Sequence, residues 1–201
     1  ITQAIVVDHS GMPGMYKTGF QIGPRMYYRQ IEHGATVLAI GATHNVPRAY
    51  SLGEHVAVTT QIELDSLIED EPERVKAWGQ LVMIQCVGSR VPENPNCSRI
   101  CCQSAIKNAL RALDLNPEMR VFVLYRDMRT FGKGYEEFYH RCQQEGTNFI
   151  RGKVAEITDQ ALQPEEEGRL IAVAEDTLLG ERLRIAVDMV ILCVAMESRW
   201  E

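Results

Sequence analysis

The chain has 201 residues, 45% of them hydrophobic and 24% charged, with a formal net charge of −6. That suits one large or two small globular domains of ordinary composition. It excludes a basic nucleic-acid binder, and no apolar run reaches membrane-spanning length.

Residues 1–36 hold short β-like runs, Ala4–Val7, Tyr16–Ile22 and Met26–Arg29, broken by glycines and prolines. His9 and His33 fall between the runs and read as exposed turn residues. Gly11–Gly14 is a turn, and no G-x-G-x-x-G phosphate loop occurs anywhere. Thr36–Ile40 reads as a buried strand ended by Gly41-Ala42-Thr43. Its small residues Ala39, Gly41 and Ala42 would let a cofactor approach the backbone. After a loop over His44–Glu54, Thr59 or Thr60 caps a helix Gln61–Ile68, with Glu63 as the capping-box partner of Thr60. The acidic stretch Glu69–Glu73 then reads as a domain boundary.

The most informative stretch follows. Leu81–Val87 is a nearly continuous apolar run of strand length, as in parallel strands covered on both faces. Cys102, Ile106, Ala109, Leu110 and Leu113 form one helical stripe, so a helix over Ser98–Leu113 is expected, capped by Asn96 or Ser98. A strand, a loop and a returning helix make the first half of a βαβ unit. The nucleotide-binding version carries glycines in that loop. Here four of the six cysteines stand there instead: Cys86, Cys97, Cys101 and Cys102, spaced C-x10-C-x3-C-C. The positive end of the helix favours thiolates, so a metal centre in place of a nucleotide phosphate is the central expectation. The spacing lacks paired C-x2-4-C zinc knuckles, the redox C-x-x-C and the ferredoxin C-x2-C-x2-C. Four thiolates satisfy the count for a [4Fe–4S] cluster. Zinc, a disulfide and plain buried hydrophobes remain alternatives, although burial does not account for Cys97 in the polar loop PENPNCSR. Clustered cysteines point to a reducing cytoplasm over a secreted disulfide framework.

Arg120–Tyr125 is the next strand, closed by Asp127, which reads as a turn residue. Thr130–Gly134 is a glycine loop. Tyr135–Glu145 is a helix whose stripe of Tyr135, Phe138, Tyr139 and Cys142 reads as core. Thr147–Ile150 and Val154–Ile157 are short strands, Leu170–Ala174 and Leu183–Val187 an antiparallel pair, and Ala186–Val194 one long buried strand. Cys142 and Cys193 read as buried apolar positions.

The strings IQCVGSR…CSRICC, AIKNAL and FGKGYEEFYHRCQQEGTNFIRG resemble the A-type component of heterodisulfide reductase and its relatives, flavin and iron–sulfur proteins of anaerobes. The resemblance implies a thioredoxin-reductase-like α/β fold, a doubly wound domain inserted into an FAD domain. It implies FAD beside a [4Fe–4S] cluster held by Cys86, Cys97, Cys101 and Cys102, with Lys107 near the flavin N5. It brings Ala39, Gly41, Ala42, Gln61, Ala195 and Met196 toward the flavin, although Ile40 replaces a family threonine.

The expected organisation is a partial FAD-domain segment over 1–70, a cysteine-bearing NAD-binding-like domain over 71–184 and a return strand over 185–201. With no opening flavin-binding βαβ unit, the chain is expected to be a fragment that binds FAD weakly by itself. The expected function is electron transfer within a heterodisulfide-reductase-like or hydrogenase-linked complex, as part of an oligomer. The rival function is a structural or adaptor domain, holding zinc or no metal, that docks partner subunits. A pyridine-nucleotide disulfide reductase fits poorly without C-x-x-C and the glycine fingerprint.

Overall fold

The computed structural model describes residues 1–199. Trp200 and Glu201, the end of the expected return segment, lie outside the described residues. The chain divides into two compact units, one over Ile1–Gly41 and a second that begins at Ala42.

The first unit is an antiparallel sheet of β1 (Ala4–Met12), β2 (Met15–Ile22) and β3 (Tyr27–His33), in that order. Pro13-Gly14 turns β1 into β2, with Met12 opposite Met15 and Gly14 at a φ of 91° that a side chain would strain. His9 and His33 are not turn residues. They lie on β1 and β3 and share the buried Thr18 hydroxyl, each at 2.7 Å. The buried strand expected over Thr36–Ile40 does not form. Val37 and Leu38 are 87% and 83% exposed and pair with no strand of their unit. An apolar run becomes a strand only where a neighbouring edge takes its backbone groups.

The second unit is built on a seven-stranded sheet. Its strands are β5 (Val58–Thr60), β6 (Gln80–Val87), β7 (Arg120–Tyr125), β8 (Asn148–Thr158), β9 (Leu170–Asp176), β10 (Glu181–Val187) and β11 (Met189–Val194), ordered β10-β9-β8-β7-β6-β11-β5. The run from β5 to β8 is parallel; β8, β9 and β10 are antiparallel. A separate ribbon pairs β4 (Ala42–His44) with β12 (Met196–Ser198). The helices are α1 (Gln61–Asp70), α2 (Pro72–Lys76), α3 (Cys101–Leu115) and α4 (Tyr135–Gln144). Leu81 and Met83 of β6 face a core shared with Leu64 of α1 and Ile106 of α3. Val82 and Ile84 face a second core with Leu124, Ala172 and Ile185. Both faces of β6 are therefore dry, as its unbroken apolar run requires. Among the described residues no helix is long and apolar enough to cross a membrane.

The start of α1 follows the expected hydrogen-bond pattern. Glu63 N donates to Thr60 Oγ1 (3.3 Å), and Thr60 N donates back to Glu63 Oε2 (2.8 Å). Thr60→Ala is expected to lower stability by about 1 kcal/mol, read by urea denaturation, and an unchanged midpoint would refute the role. Of the α4 stripe only Cys142 is buried; Phe138 and Tyr139 pack at the margin of the core, and Tyr135 stays exposed.

The buried Glu166 sits in a 3₁₀ turn, Pro164–Glu166. It accepts hydrogen bonds from Arg184 Nε and Nη2, both 2.8 Å, and from Leu162 N. Chiefly through Arg184, its carboxyl is held down to about 2. A carboxyl lowered on folding contributes stability above its ordinary range and loses it as pH falls toward the folded value. The melting-temperature gap between the protein and Glu166→Gln should therefore be full at neutral pH and close as acid approaches pH 2. A gap that stays constant from neutral to acid pH would contradict this.

Candidate metal centre at a strand–helix corner

The carboxyl ends of β7, β6 and β11 lie side by side. From β6 the chain passes through α3 to β7, whereas β11 lies on the other side of β6. Such reversals leave a crevice beyond the strand ends, where α/β sheets bind ligands. Cys86 occupies this point at the end of β6, with a φ of 61°. That left-handed conformation is costly for a residue with a side chain and takes it off the strand path. The loop beyond closes on itself through Arg90 N to Asn96 O and the Val91–Asn94 bridge. It carries Cys97, which accepts from Arg99 N at 3.3 Å.

The expected side-chain cap of α3 does not form. Ile100 holds the cap position with no side-chain bond, and Ser98 Oγ accepts from Met196 N at 2.9 Å instead. Helix α3 then presents Cys101 and Cys102 in its first turn, both buried. Cys101 Sγ lies 3.6 Å from Val194 O at the end of β11, and Cys102 Sγ 3.9 Å from Asp127 O just past β7. The four cysteines of the sequence motif thus lie on one strand–loop–helix passage of the second unit, and Cys101 feels the charges of the other three.

The corner is electrically coherent. Burial first, and then the charges of Cys102, Cys86 and Cys97, push the Cys101 thiol up to about 11. Cys102 is raised mainly by burial, with Cys86 and Cys97 adding to it. Burial thus favours the protonated form of both thiols, and a metal binding here would displace the protons. Arg90 is the nearby cation. It pairs with Asp127 at 2.6 Å and feels the charge of Cys86. Its Nη1 is buried without a hydrogen-bond partner. Cys193 is buried, as expected, but its sulfur lies within the field of Cys101, Cys102 and Cys86 and takes a hydrogen bond from the buried Gln85 amide at 3.2 Å. Among the described residues no group of three or more His, Cys, Asp or Glu side chains is placed to hold a metal ion.

The residues expected near a flavin are dispersed. Ala39 and Gly41 belong to the first unit and are exposed. In the second, Ala42 lies opposite Ser198 on the β4–β12 ribbon, and Met196 opposite His44. Ala195 is buried and donates its N–H to Val87 O at 2.8 Å, which ties the ribbon to the cysteine corner. Gln61 is buried at the start of α1, its carbonyl accepting from Asn108 Nδ2 of α3. The side-chain oxygens of Gln61 and Asn108 are both buried without partners. Lys107 donates to both oxygens of Asp65, at 2.8 and 2.7 Å.

No family model matches the chain. It is 41% identical over 183 residues to one of the A-type iron–sulfur subunits of CoB–CoM heterodisulfide reductase in Methanopyrus kandleri, covering 84% of this chain and 27% of that protein. It is 37% identical over 219 aligned positions to the corresponding iron–sulfur subunit of Methanocaldococcus jannaschii, covering 99% of this chain and 33% of the relative. The chain thus spans a third or less of the length of these curated relatives. Among solved structures, the ornithine N-hydroxylase of Kutzneria sp. 744 superposes with a TM-score of 0.50 at 11% identity, over 96% of this chain and 54% of that one. At that identity the likeness speaks to the fold alone. Thioredoxin reductase of T. acidophilum reaches a TM-score of 0.47 at 13% identity, over 96% of this chain and 52% of that one.

Proposed function

Because the chain belongs, over most of its length, with part of the A-type iron–sulfur subunits of heterodisulfide reductase, we propose that it is the cluster-bearing segment of an electron-transferring oxidoreductase. Cys86, Cys97, Cys101 and Cys102 hold a [4Fe–4S] cluster, and FAD is its redox partner. The observation that carries this reading is the placing of Cys101 and Cys102 at the start of α3, within the field of Cys86 and Cys97, beside Arg90, whose Nη1 is buried without a hydrogen-bond partner. A four-iron cluster with four thiolate ligands is anionic and larger than a single ion. It suits a corner flanked by the Arg90 cation.

When bound, the cluster supplies one-electron transfer. The chain's own residues supply the setting. Cys101 and Cys102 present their sulfurs at the positive end of α3. Arg90 places positive charge next to Cys86, and Asp127 fixes Arg90. Ala195 and Val87 hold the ribbon against the corner and keep water from its buried side. Gln61 and Asn108 offer two unsatisfied acceptors that suit the N–H groups of a flavin ring, and Lys107 beside them offers a cation for its reduced, anionic form. Ala42 and Met196 of the β4–β12 ribbon complete the proposed flavin contacts of this unit. Partner subunits of a heterodisulfide-reductase-like or hydrogenase-linked complex would deliver and accept the electrons, in the cytoplasm of an anaerobe.

The test is iron and acid-labile sulfide analysis of anaerobically prepared protein. Four irons and four sulfides per chain are expected for one [4Fe–4S] cluster. Zinc or no metal would sink this reading in favour of a structural or adaptor domain.

A further inference from the structure

Beside the cysteine corner, outside the carboxyl ends of β6 and β7, lies a cavity of about 550 Å³. Its charged lining is one-sided. Arg48, Arg90, Arg126 and Lys153 face it, and no aspartate or glutamate does, on a chain whose net charge is −6. Arg90 is already engaged, by Asp127 and by the charge of Cys86. Among the described residues Arg48, Arg126 and Lys153 pair with no carboxylate. Arg126 uses one nitrogen to donate to Arg90 O at 2.8 Å, which leaves the rest of its fork available. A smaller cavity of about 200 Å³ shares Arg126 and Lys153 and adds Arg151. The opposite side of the larger cavity is apolar, with Leu124 and Tyr50 among its walls. Tyr50 is fixed there by its hydroxyl, which donates to Val154 O at 3.2 Å.

Unpaired cations gathered in a concavity repel one another, and the arrangement costs stability unless an anion occupies it. One such cation is common on a surface. Three around a single cavity of small-molecule size, next to an apolar wall, describe a ligand with an anionic and a flat apolar end. The extension past Arg126 and Lys153 toward Arg151 suits more than one anionic group.

We propose that this cavity binds a nucleoside diphosphate. Arg48, Arg126 and Lys153 take the phosphates, and the base lies against Tyr50 and Leu124. The site is distinct from the thiol set, although Cys86 lines its edge, and it does not depend on the identity of any metal there.

Calorimetric titration of the protein with ADP tests this, with adenosine and inorganic pyrophosphate as separate titrants. Saturable ADP binding at one site per chain is expected, weakened about tenfold or more by Lys153→Glu and by Arg48→Glu. Neither side chain has an ion-pair partner to lose, and each reversal relieves repulsion among the cations, so neither variant should melt below the parent. Adenosine should not saturate. The proposal fails if ADP gives no saturable binding up to roughly millimolar concentration. It fails if both charge reversals leave the affinity unchanged. It also fails if pyrophosphate binds as tightly as ADP, because the cavity would then be an anion hole without a base site.

Discussion

Cys101→Ser and Cys97→Ser are each expected to yield protein that retains no stoichiometric iron or labile sulfide after anaerobic reconstitution, while Cys142→Ser retains both. A serine hydroxyl at neutral pH is a poor substitute for a thiolate, and a cluster with three good ligands is readily lost. The two positions test different parts of the corner. Cys101 is buried against Val194 O, so its loss removes a ligand from the rigid side. Cys97 sits in the loop, so its loss tests whether that loop takes part. Cys142 is buried too, but its sulfur contacts Thr147 Oγ1 at 3.2 Å and belongs to the packing of α4. Cys193 is the demanding control. It lies within the field of three proposed ligands, yet it is fully buried near the end of β11 and already takes the Gln85 hydrogen bond. Cys193→Ser should keep iron and visible absorbance. Retention of a full cluster in Cys97→Ser would remove that residue from the ligand set, and loss in Cys193→Ser would add one.

The parts of this molecule that were legible in sequence are those whose causes are local. The β6 run, the α3 stripe and the Thr60–Glu63 capping box each depend on residues within a few positions of one another. The four thiols of the proposed centre could be grouped from sequence because they fall on one strand–loop–helix passage. What failed depended on partners far along the chain. His9 and His33 look like isolated turn residues until pairing across β1, β2 and β3 brings Thr18 between them. The strand expected over Thr36–Ile40 has the right composition, but composition does not specify a pairing edge. Arg90 passed unnoticed because its meaning lies in Asp127, on the far side of α3 and β7. Cys193 reads as core, which it is. Only the sheet order, with β11 beside β6, puts its sulfur behind the corner. The lining of the basic cavity comes from the loop after β4 and from β6, β7 and β8, so no window of sequence contains it.

The same reasoning explains the one long strand that the sequence suggested and the structure divides. Ala186–Val194 is apolar apart from Asp188, and a single charge in a buried run reads as an interruption to be tolerated. It is instead the hinge between β10 and β11. Asp188 Oδ2 accepts from Gly79 N at 2.7 Å and Gln80 N at 2.8 Å, and Oδ1 accepts from Arg169 Nη2 at 3.1 Å. One carboxylate thus satisfies two backbone donors at the start of β6 and anchors Arg169, just ahead of β9, to the strand that runs beside the cysteine corner. Asp188→Ala leaves both N–H groups and the guanidinium to find water at a half-buried junction. Hydrogen bonds to charged groups contribute about 1.5–3 kcal/mol each. The carboxylate is partly exposed and its bonds are coupled, so the expected loss is about 2–4 kcal/mol in total rather than the sum. For a chain of this size that lowers the melting temperature by roughly 5–15 °C. Asp188→Asn retains one acceptor oxygen for the backbone donors but not the charge, and should lose about half as much. Arg169→Ala in the Asp188→Ala background should add little, because its partner is already gone. Thermal melts of the parent, Asp188→Ala, Asp188→Asn, Arg169→Ala and the double variant at neutral pH decide the matter. A shift below about 2 °C for Asp188→Ala, or a fully additive double variant, would show that the junction is held by the surrounding core and not by this carboxylate.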